Sequence, residues 1–330
     1  MALFDLPLPA LHEYRPDLPE PDGYDAFWAE VLGRARTTEV LQEVTEVETG
    51  MSRVDTWDVT FSGHDGAPIR AWYLRPEGAD DELPVVVEYI GYGGGRSTPL
   101  EHLAWPAAGY GHLVMDTRGQ GSAWGSGGDT PDPAGSGPAA PGSMTRGIES
   151  PQTSYLTRLM TDAARAVDAA RALPGADGRV AVTGNSQGGG LAIAAGGLVP
   201  DVAAVMANVP FLCHIRRAID LTDADPYQEI VRYLAANRHR EAAVENTLAH
   251  VDAIHHARRA RGDTLFSVAL RDMICPPSTV FAAFNHWADR TDAAPSTRIE
   301  VYPYNGHEGG AAAQTMLQLG WLAERMPVAR

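Results

Sequence analysis

The serine of a Gly-x-Ser-x-Gly pentapeptide is the residue in this chain whose setting best suits nucleophilic chemistry. The pentapeptide, residues 184–188, lies between the apolar run 179–183 and the small-residue run 191–195. This order predicts a sharp turn from a strand into a helix, in which glycines let the backbone pass closely and the hydroxyl of Ser186 is exposed. The backbone N–H of Gln187, at the helix start, would face a developing oxyanion. A plain turn is the alternative, because glycine and serine are common residues.

Two further residues could complete the set that a serine nucleophile needs, and each follows a predicted strand. Asp272 comes just after the apolar run 264–270, and His307 follows the alternating run 297–302. The chain order serine, acid, histidine is expected where such a turn is built on an open α/β sheet, whose active sites lie at the carboxyl ends of the strands. Each residue alone could belong to a surface loop. Together with Ser186 they predict a catalytic triad.

The three residue types have complementary roles in acyl transfer. A serine hydroxyl is a weak nucleophile at neutral pH, so His307 would take its proton and later return it to the leaving group. Asp272 would hold the imidazole in one tautomer and stabilise the imidazolium. The predicted chemistry is hydrolysis through an acyl-enzyme at Ser186, for which we expect no metal and no cofactor.

Ordered motifs extend over nearly the whole chain, and through them the sequence resembles the acetyl xylan esterase / cephalosporin C deacetylase family of α/β-hydrolases, carbohydrate esterase family seven. These motifs are Arg118-Gly119-Gln120, Gly184-Asn185-Ser186-Gln187-Gly188-Gly189 and His307-Glu308, with further matching stretches at 25–28, 209–213 and 272–279. The resemblance implies an α/β-hydrolase fold with a mostly parallel central sheet flanked by helices. It also implies removal of acetyl groups from small acetylated saccharides, such as xylo-oligosaccharides, and from cephalosporin C-type esters.

The resemblance further implies an oxyanion hole and an acyl pocket. One oxyanion donor would be the backbone N–H of Tyr92 and the other that of Gln187. The family usually has His-Gly-Tyr where this chain has Ile90-Gly91-Tyr92, a change that concerns the packing of the loop more than the mechanism. The acyl pocket, sized for an acetyl group, would be walled by Tyr92, Phe211, Pro226 and Ile274.

Other polar residues of these motifs are interpreted as support for the site. Arg118 is expected to form an ion pair that organises the loop of Gly119 and Gln120, and Glu308 is expected to point toward a neighbour or a helix N-terminus. The adjacent pair at 255–256 (both histidine) is predicted to be solvated helix surface and not a metal site, because adjacent residues on a helix point apart.

Composition and charge exclude several classes of function. The formal net charge of the 330 residues is −16, which disfavours nucleic acid or an anionic membrane surface as a partner. Neither a signal peptide nor an apolar run of the ~20 residues that span a membrane is recognisable, so we expect a cytoplasmic protein. Cys213 and Cys275 lie in apolar stretches, which predicts buried free thiols.

We expect a single α/β-hydrolase domain over 1–330, with an N-terminal extension at 1–50 and a helical insertion at about 215–261, before the penultimate strands. The other predicted elements are a helix from Tyr24, an antiparallel hairpin of 55–62 and 69–74, buried strands at 83–90 and 112–115, a helix over 153–173, a Gly/Pro/Ser-rich loop at 121–151 and a closing helix from 311 to about 324. In the family the hairpin and the insertion help build a ring-like hexamer with enclosed active sites, so a homohexamer is the assembly that the resemblance implies.

Two other functions stay open at this level. The same fold supports general short-chain carboxylesterases, peptidases and other acyl hydrolases, because fold alone does not determine function. A catalytically silent binding protein that retains an inherited triad is the non-enzymatic alternative. Turnover of an activated acetyl ester distinguishes an esterase from a silent protein, and a series of acyl lengths distinguishes an acetyl esterase from a general one.

Overall fold

The computed structural model describes residues 3–79 and 81–328. In chain order, the strands are β1 Leu41–Glu46, β2 Val54–Ser62, β3 Pro68–Pro76, β4 Leu83–Tyr89, β5 Gly111–Met115, β6 Ala176–Asn185, β7 Ala204–Asn208, β8 Asp263–Ala269 and β9 Thr297–Tyr302. They form one sheet with the spatial order β1-β2-β3-β5-β4-β6-β7-β8-β9. The neighbours from β5 to β9 are all parallel, whereas β1, β2 and β3 pair antiparallel with their neighbours. This mostly parallel sheet confirms the predicted fold class.

Helices cover the sheet and join its parallel strands. They are α1 Leu8–His12, α2 Tyr24–Ala35, α3 Ala104–Ala107, α4 Tyr155–Ala172, α5 Gln187–Leu198, α6 Ile215–Leu221, α7 Tyr227–Ala236, α8 Glu241–Val251, α9 Ala253–Ala257, α10 Pro277–Asn285 and α11 Ala311–Arg325. Short 3₁₀ turns lie at His64–Gly66, Pro99–His102 and Arg238–Arg240. Among the described residues, no helix is both long and apolar enough to cross a bilayer.

The central strands are buried on both faces, which explains why they are read in the sequence as continuous apolar runs. In β4, Val85, Val87 and Tyr89 belong to the large core that also contains the apolar side chains of α4 and α5. Val86 belongs to a smaller cluster with Trp321 of α11. Successive side chains of a strand point to opposite faces, so the two clusters lie on opposite sides of the sheet.

Most of the predicted elements are confirmed. The hairpin pairs β2 with β3, from Val54 opposite Pro76 to Ser62 opposite Pro68, and β9 begins and ends at the predicted residues. The predicted insertion contains α6 to α9 and precedes β8. The loop 121–151 contains neither a helix nor a strand. Strand β1 was not predicted, because only two of its six residues are apolar.

The prediction of a solvated surface at 255–256 is wrong. His255 and His256 are 2% and 0% exposed because the N-terminal helix α2 packs over the insertion: Trp28 donates a hydrogen bond from Nε1 to the carbonyl oxygen of His250 (3.0 Å), and the hydroxyl of Tyr24 lies 3.1 Å from Nδ1 of His256. The sequence of α9 is too short to show which of its faces is buried. Helix α2, which covers it, lies more than 200 residues earlier in the chain.

Candidate active site

Ser186 lies at the junction between β6 and α5, in a backbone conformation that a non-glycine residue rarely adopts. Its φ and ψ are 56° and −117°, a strained combination that raises the hydroxyl above the sheet edge. The surrounding glycines are required by close packing: a Cβ at Gly188 would collide with the carbonyl oxygen of Tyr89, and one at Gly184 would collide with the backbone of Gly188. The turn is held by a hydrogen bond from the N–H of Ser186 to the carbonyl of Asn208 (2.9 Å).

Asp272 and His307, which follow β8 and β9, are joined directly. Nδ1 of His307 lies 2.8 Å from Oδ2 of Asp272, so Nδ1 carries the proton and Nε2 is left as the basic nitrogen. Asp272 is fully buried, and its other oxygen, Oδ1, accepts hydrogen bonds from the N–H groups of Ile274 (2.8 Å) and Cys275 (3.0 Å). Ser186 and His307 line the same cavity. The structure therefore brings the three predicted residues to one place.

The predicted oxyanion donors lie at the ends of neighbouring strands β4 and β6. Gln187 is the first residue of α5, where backbone N–H groups have no partner within the helix. Tyr92 is fixed by hydrogen bonds at its backbone and at its side chain. Its carbonyl accepts from Nε1 of Trp124 (2.7 Å), and its hydroxyl donates to Oε1 of Glu229 (2.7 Å). Both N–H groups thus belong to backbone whose position is fixed by other contacts.

Gln120 of the Arg-Gly-Gln motif links the two predicted oxyanion segments. Its Nε2 donates to the side-chain oxygen of Gln187 and to the hydroxyl of Tyr155, both at 2.9 Å. Its Oε1 accepts from the N–H of Gly93 (2.6 Å), the residue after Tyr92. The side chain therefore bridges the loop after β4 and the start of α5.

Arg118 and Gly119 place Gln120. Arg118 is buried and forms a bidentate ion pair with Asp162 of α4, with contacts of 2.5 and 2.7 Å, as expected of an arginine that organises the loop. Gly119 has a φ of +63°, and a Cβ there would lie 2.8 Å from Cβ of Asp132. Glycine is needed at this position for both reasons.

Glu308 stabilises the turn that carries His307. Its Oε2 accepts from the N–H of Gly306 (3.0 Å) and its Oε1 from the side chain of Asn305 (2.8 Å). Of the two directions expected for this side chain, the structure shows the one toward a neighbour.

A cavity of about 500 Å³ opens at Ser186. Tyr92, Pro226 and Ile274, three of the four predicted acyl-pocket residues, line it. Phe211 is fully buried and lies behind this wall, with its ring centroid 4.3 Å from that of Tyr227 and 6.4 Å from that of Tyr92. Phe211 therefore supports the pocket without lining it.

The opposite part of the cavity is formed by residues that no sequence motif predicts. Its lining residues include Glu88, Ser97, Glu101, His102 and Trp124. One signal was available: Glu88 is the sole charged residue in the apolar run 83–90. The others come from loops whose sequences show no periodicity.

A metal-ligand set overlaps the predicted triad. Asp272, Cys275 and His307 each offer one ligand atom, and these atoms lie within 4.8 Å of one another. The His307 Nδ1 and Asp272 Oδ2 atoms already bind each other, and Cys275 is, like Cys213, a buried free cysteine as predicted. The arrangement suits proton transfer better than metal binding, because a metal would displace the proton between His307 and Asp272.

The parallel sheet with a serine on a strained turn after a central strand defines an α/β-hydrolase. The comparison with known sequences gives the particular group: the family described as Acetyl xylan esterase (AXE1) matches residues 1–325, and the chain belongs to this family. Membership places the protein among the carboxylic ester hydrolases.

Solved structures and a curated relative agree with this assignment. The chain is similar to the acetyl xylan esterase from Paenibacillus sp. R4, with a TM-score of 0.89, 34% identity, and coverage of 97% of this chain and 100% of that one. It is also similar to acetyl xylan esterase 1 from Thermoanaerobacterium sp. JW/SL YS485, with a TM-score of 0.85, 34% identity, and coverage of 96% and 99%. Acetyl esterase Axe7A from Xylanibacter ruminicola is 32% identical over 145 residues, a match that spans 44% of this chain and only 32% of that relative.

Proposed function

We propose that the protein is a serine esterase that removes acetyl groups from small acetylated saccharides, including xylo-oligosaccharides, and from related cephalosporin C-type esters. The observation that carries the proposal is the arrangement of a serine on a strained turn beside a histidine whose Nδ1 is bound to a buried carboxylate, at 2.8 Å. Membership in the acetyl xylan esterase family supports the acetyl ester as the group that is cleaved.

The proposed reaction has two acyl-transfer steps. In the first, Oγ of Ser186 attacks the ester carbonyl while Nε2 of His307 takes its proton, and the oxyanion accepts hydrogen bonds from the N–H groups of Tyr92 and Gln187. The C–O bond to the alcohol then breaks as His307 returns the proton to the leaving oxygen. In the second step, water attacks the acetyl-enzyme by the same route and releases acetate.

The acyl pocket in this proposal is bounded by residues on both sides of Ser186: Tyr92 follows β4, whereas Pro226 and Ile274 follow β7 and β8. Tyr92, Pro226 and Ile274 line the cavity, and the buried ring of Phe211 closes the space behind Tyr92. A small apolar pocket favours acetyl by exclusion, because overpacking costs about 1–3 kcal/mol.

The test is to trap the acetyl-enzyme. Rapid quenching of a reaction with 4-nitrophenyl acetate, followed by peptide mass spectrometry, should show acetylation of the peptide that contains Ser186 and a burst of 4-nitrophenol equal to the enzyme concentration. The variant Ser186→Ala should show neither, whereas Ser136→Ala, in an exposed loop, should behave like the parent. A burst without acetylation at Ser186 would overturn the assignment.

A general short-chain carboxylesterase is the second candidate, favoured by a cavity of about 500 Å³, which is more than an acetyl group needs. A silent binding protein would give no burst at all. A cytoplasmic location stays a prediction, which cell fractionation tests.

A further inference from the structure

Half of the active-site cavity is not used by the proposed acyl chemistry. In the sheet, β4 and β5 lie on one side of β6, and β8 and β9 lie on the other. Asp272, His307 and Ile274 follow β8 and β9, whereas Glu88, Glu101 and His102 belong to β4 or to the loop after it. An acyl group bound beside Ile274 leaves for the alcohol the part of the cavity that is lined by Glu88, Glu101 and His102.

The floor of this second half is a carboxylate flanked by two histidines. Oε2 of Glu88 lies 3.1 Å from Nδ1 of His102 and 3.0 Å from Nε2 of His112. Burial would raise the pKa of Glu88, but its contacts with His102 and His112 lower it well below its usual range, so the carboxylate is ionised. A charged residue in a central strand is unusual, and Oε1 makes no hydrogen bond within the described part of the chain, so it can accept from a ligand.

Neither histidine offers a free N–H to a ligand. Nε2 of His102 lies 3.0 Å from the carbonyl oxygen of Arg96, and Nδ1 of His112 lies 3.1 Å from the carbonyl oxygen of His102. Because a carbonyl only accepts, each of these nitrogens carries a proton that is already donated. The second nitrogen of each ring faces Glu88.

Apart from the histidines, the charged residues that line the cavity are all acidic. Glu88, Glu101 and Asp225 line it, and its described lining residues include no arginine or lysine. A ligand carboxylate would therefore meet three carboxylates, and the nitrogens of His102 and His112, which all face Glu88 or backbone carbonyls, are not available to bind it. A ligand hydroxyl, in contrast, would meet several hydrogen-bond acceptors.

A smaller polar cavity continues from this half. It measures about 160 Å³ and shares Glu88, Glu101, His102 and Asn185 with the larger one. Its other polar lining residues are His112, Thr183, Asn208, Thr315 and Gln318. Hydroxyl groups, or the water molecules that solvate them, have both room and partners here.

We propose that Glu88, Glu101, His102, Asn185 and Trp124 form a subsite for the alcohol portion of the ester, the Glu88 subsite, which selects neutral, hydroxyl-rich alcohols over alcohols that carry a carboxylate. The exposed ring of Trp124 provides an apolar face for a sugar ring, and Glu88 accepts from its hydroxyl groups. The inference rests on the proposed function and narrows it: among acetyl esters, anionic cephalosporins are the poorer substrates.

The first test compares two esters with the same acetoxymethyl group, 7-aminocephalosporanic acid and its methyl ester, by measuring acetate release. In the parent enzyme at low ionic strength, kcat/KM for the neutral ester should exceed that for the acid by about tenfold. High salt should reduce the ratio to roughly threefold or less, because salt screens the repulsion. Equal kcat/KM values at low salt would overturn the inference.

The second test changes the charge. Glu88→Gln keeps the shape of the side chain and should bring the ratio of the two esters to within about threefold, whereas Glu324→Gln, an exposed carboxylate on α11, should leave it at the parent value. Glu101→Gln, at the exposed mouth of the cavity, should lower the ratio in part and does not depend on the folding of the Glu88→Gln variant. An unchanged ratio in both cavity variants would contradict the proposal. Turnover of 4-nitrophenyl acetate distinguishes failure of the proposed function from failure of the Glu88 subsite. No turnover by the parent would contradict the proposed function, whereas turnover with an unchanged ratio would contradict only the Glu88 subsite.

Discussion

Gln120 connects two backbone segments that are far apart in the chain and that would supply the two oxyanion donors. Its contacts with Gly93, Gln187 and Tyr155 all have heavy-atom distances of 2.9 Å or less. Because the side chain touches neither the proposed nucleophile nor the base, it is a positioning residue. Its removal should let both N–H groups move from the place where negative charge develops.

We therefore expect Gln120→Ala to lower kcat by roughly tenfold to a hundredfold with a smaller change in KM, since the lost interaction matters mainly in the transition state. Gln120→Glu, which can accept from Gly93 but cannot donate to Gln187, should lie between the parent and the alanine variant. Gln152→Ala, an exposed glutamine, is the control. A purely structural role would instead lower the free energy of unfolding and leave kcat of the folded fraction unchanged.

Ile274 is the residue for which we expect the clearest change in acyl-chain preference. It lines the cavity and is only partly buried, so Ile274→Ala should open space beside Ser186 at a cost below the 2–5 kcal/mol of a fully buried position. The ratio of kcat/KM for butyryl over acetyl esters should rise about tenfold. Esters of one alcohol with acetyl, butyryl and octanoyl groups give the measurement. Equal values for acetyl and octanoyl in the parent would instead indicate a general carboxylesterase.

At the scale of elements, the helices that pack over one another at the N-terminal side bury several histidines in their neutral form. Burial is the main cause that lowers the pKa of His214 and His255 to about 4 from the usual 6.5, and it also lowers the pKa of His256 well below its usual value. Between pH 6.5 and 4 the unfolded chain binds protons that these folded residues do not, so the free energy of unfolding falls as the pH falls. Burial of Asp252 raises its pKa to about 6, and the pKa values of His102 and Glu229 are raised as well. These groups oppose the trend in part, whereas the lowered pKa of His64 adds to it.

We expect the free energy of unfolding, measured with urea at a series of pH values, to decrease by about 2–4 kcal/mol from pH 7 to pH 4.5. His255→Gln should make this dependence shallower, because it removes one of the groups whose pKa is lowered. His239→Gln, at an exposed position, should leave the slope unchanged. The same slope in the parent and in His255→Gln would contradict the role of burial.

The elements also show which parts of the structure a sequence can predict. Ser186, Asp272 and His307 could be found because each follows a strand whose own residues are patterned, and sheet topology then brings strand ends together. Strand β1 could not be predicted from the sequence, because an edge strand that is exposed to water contains few apolar residues. The burial of His255 and the partners of Glu88 depend on contacts between segments that only the folded chain brings together.

At the scale of the whole molecule, the hexamer implied by the family resemblance stays a prediction. Light scattering at assay concentrations should give six times the monomer mass. With a formal net charge of −16 on each chain, subunits repel one another, so low ionic strength should favour dissociation. If the active sites are enclosed, soluble acetylated oligosaccharides should release acetate much faster than intact acetylated xylan. A monomer mass at physiological salt would refute the assembly.

The strained backbone of Ser186 implies that the fold would be more stable if the nucleophile were replaced by glycine. A residue with a side chain at a φ of 56° stores about 1–3 kcal/mol of strain, and a glycine there would release it while losing about 0.5–1 kcal/mol through the greater freedom of its unfolded state. Ser186→Gly should therefore unfold at a higher urea concentration than Ser186→Ala, which keeps a Cβ in the same place. If the two variants unfold at the same urea concentration, the turn is not strained. If they differ, the difference measures how much stability the fold loses by holding the nucleophile in this backbone conformation.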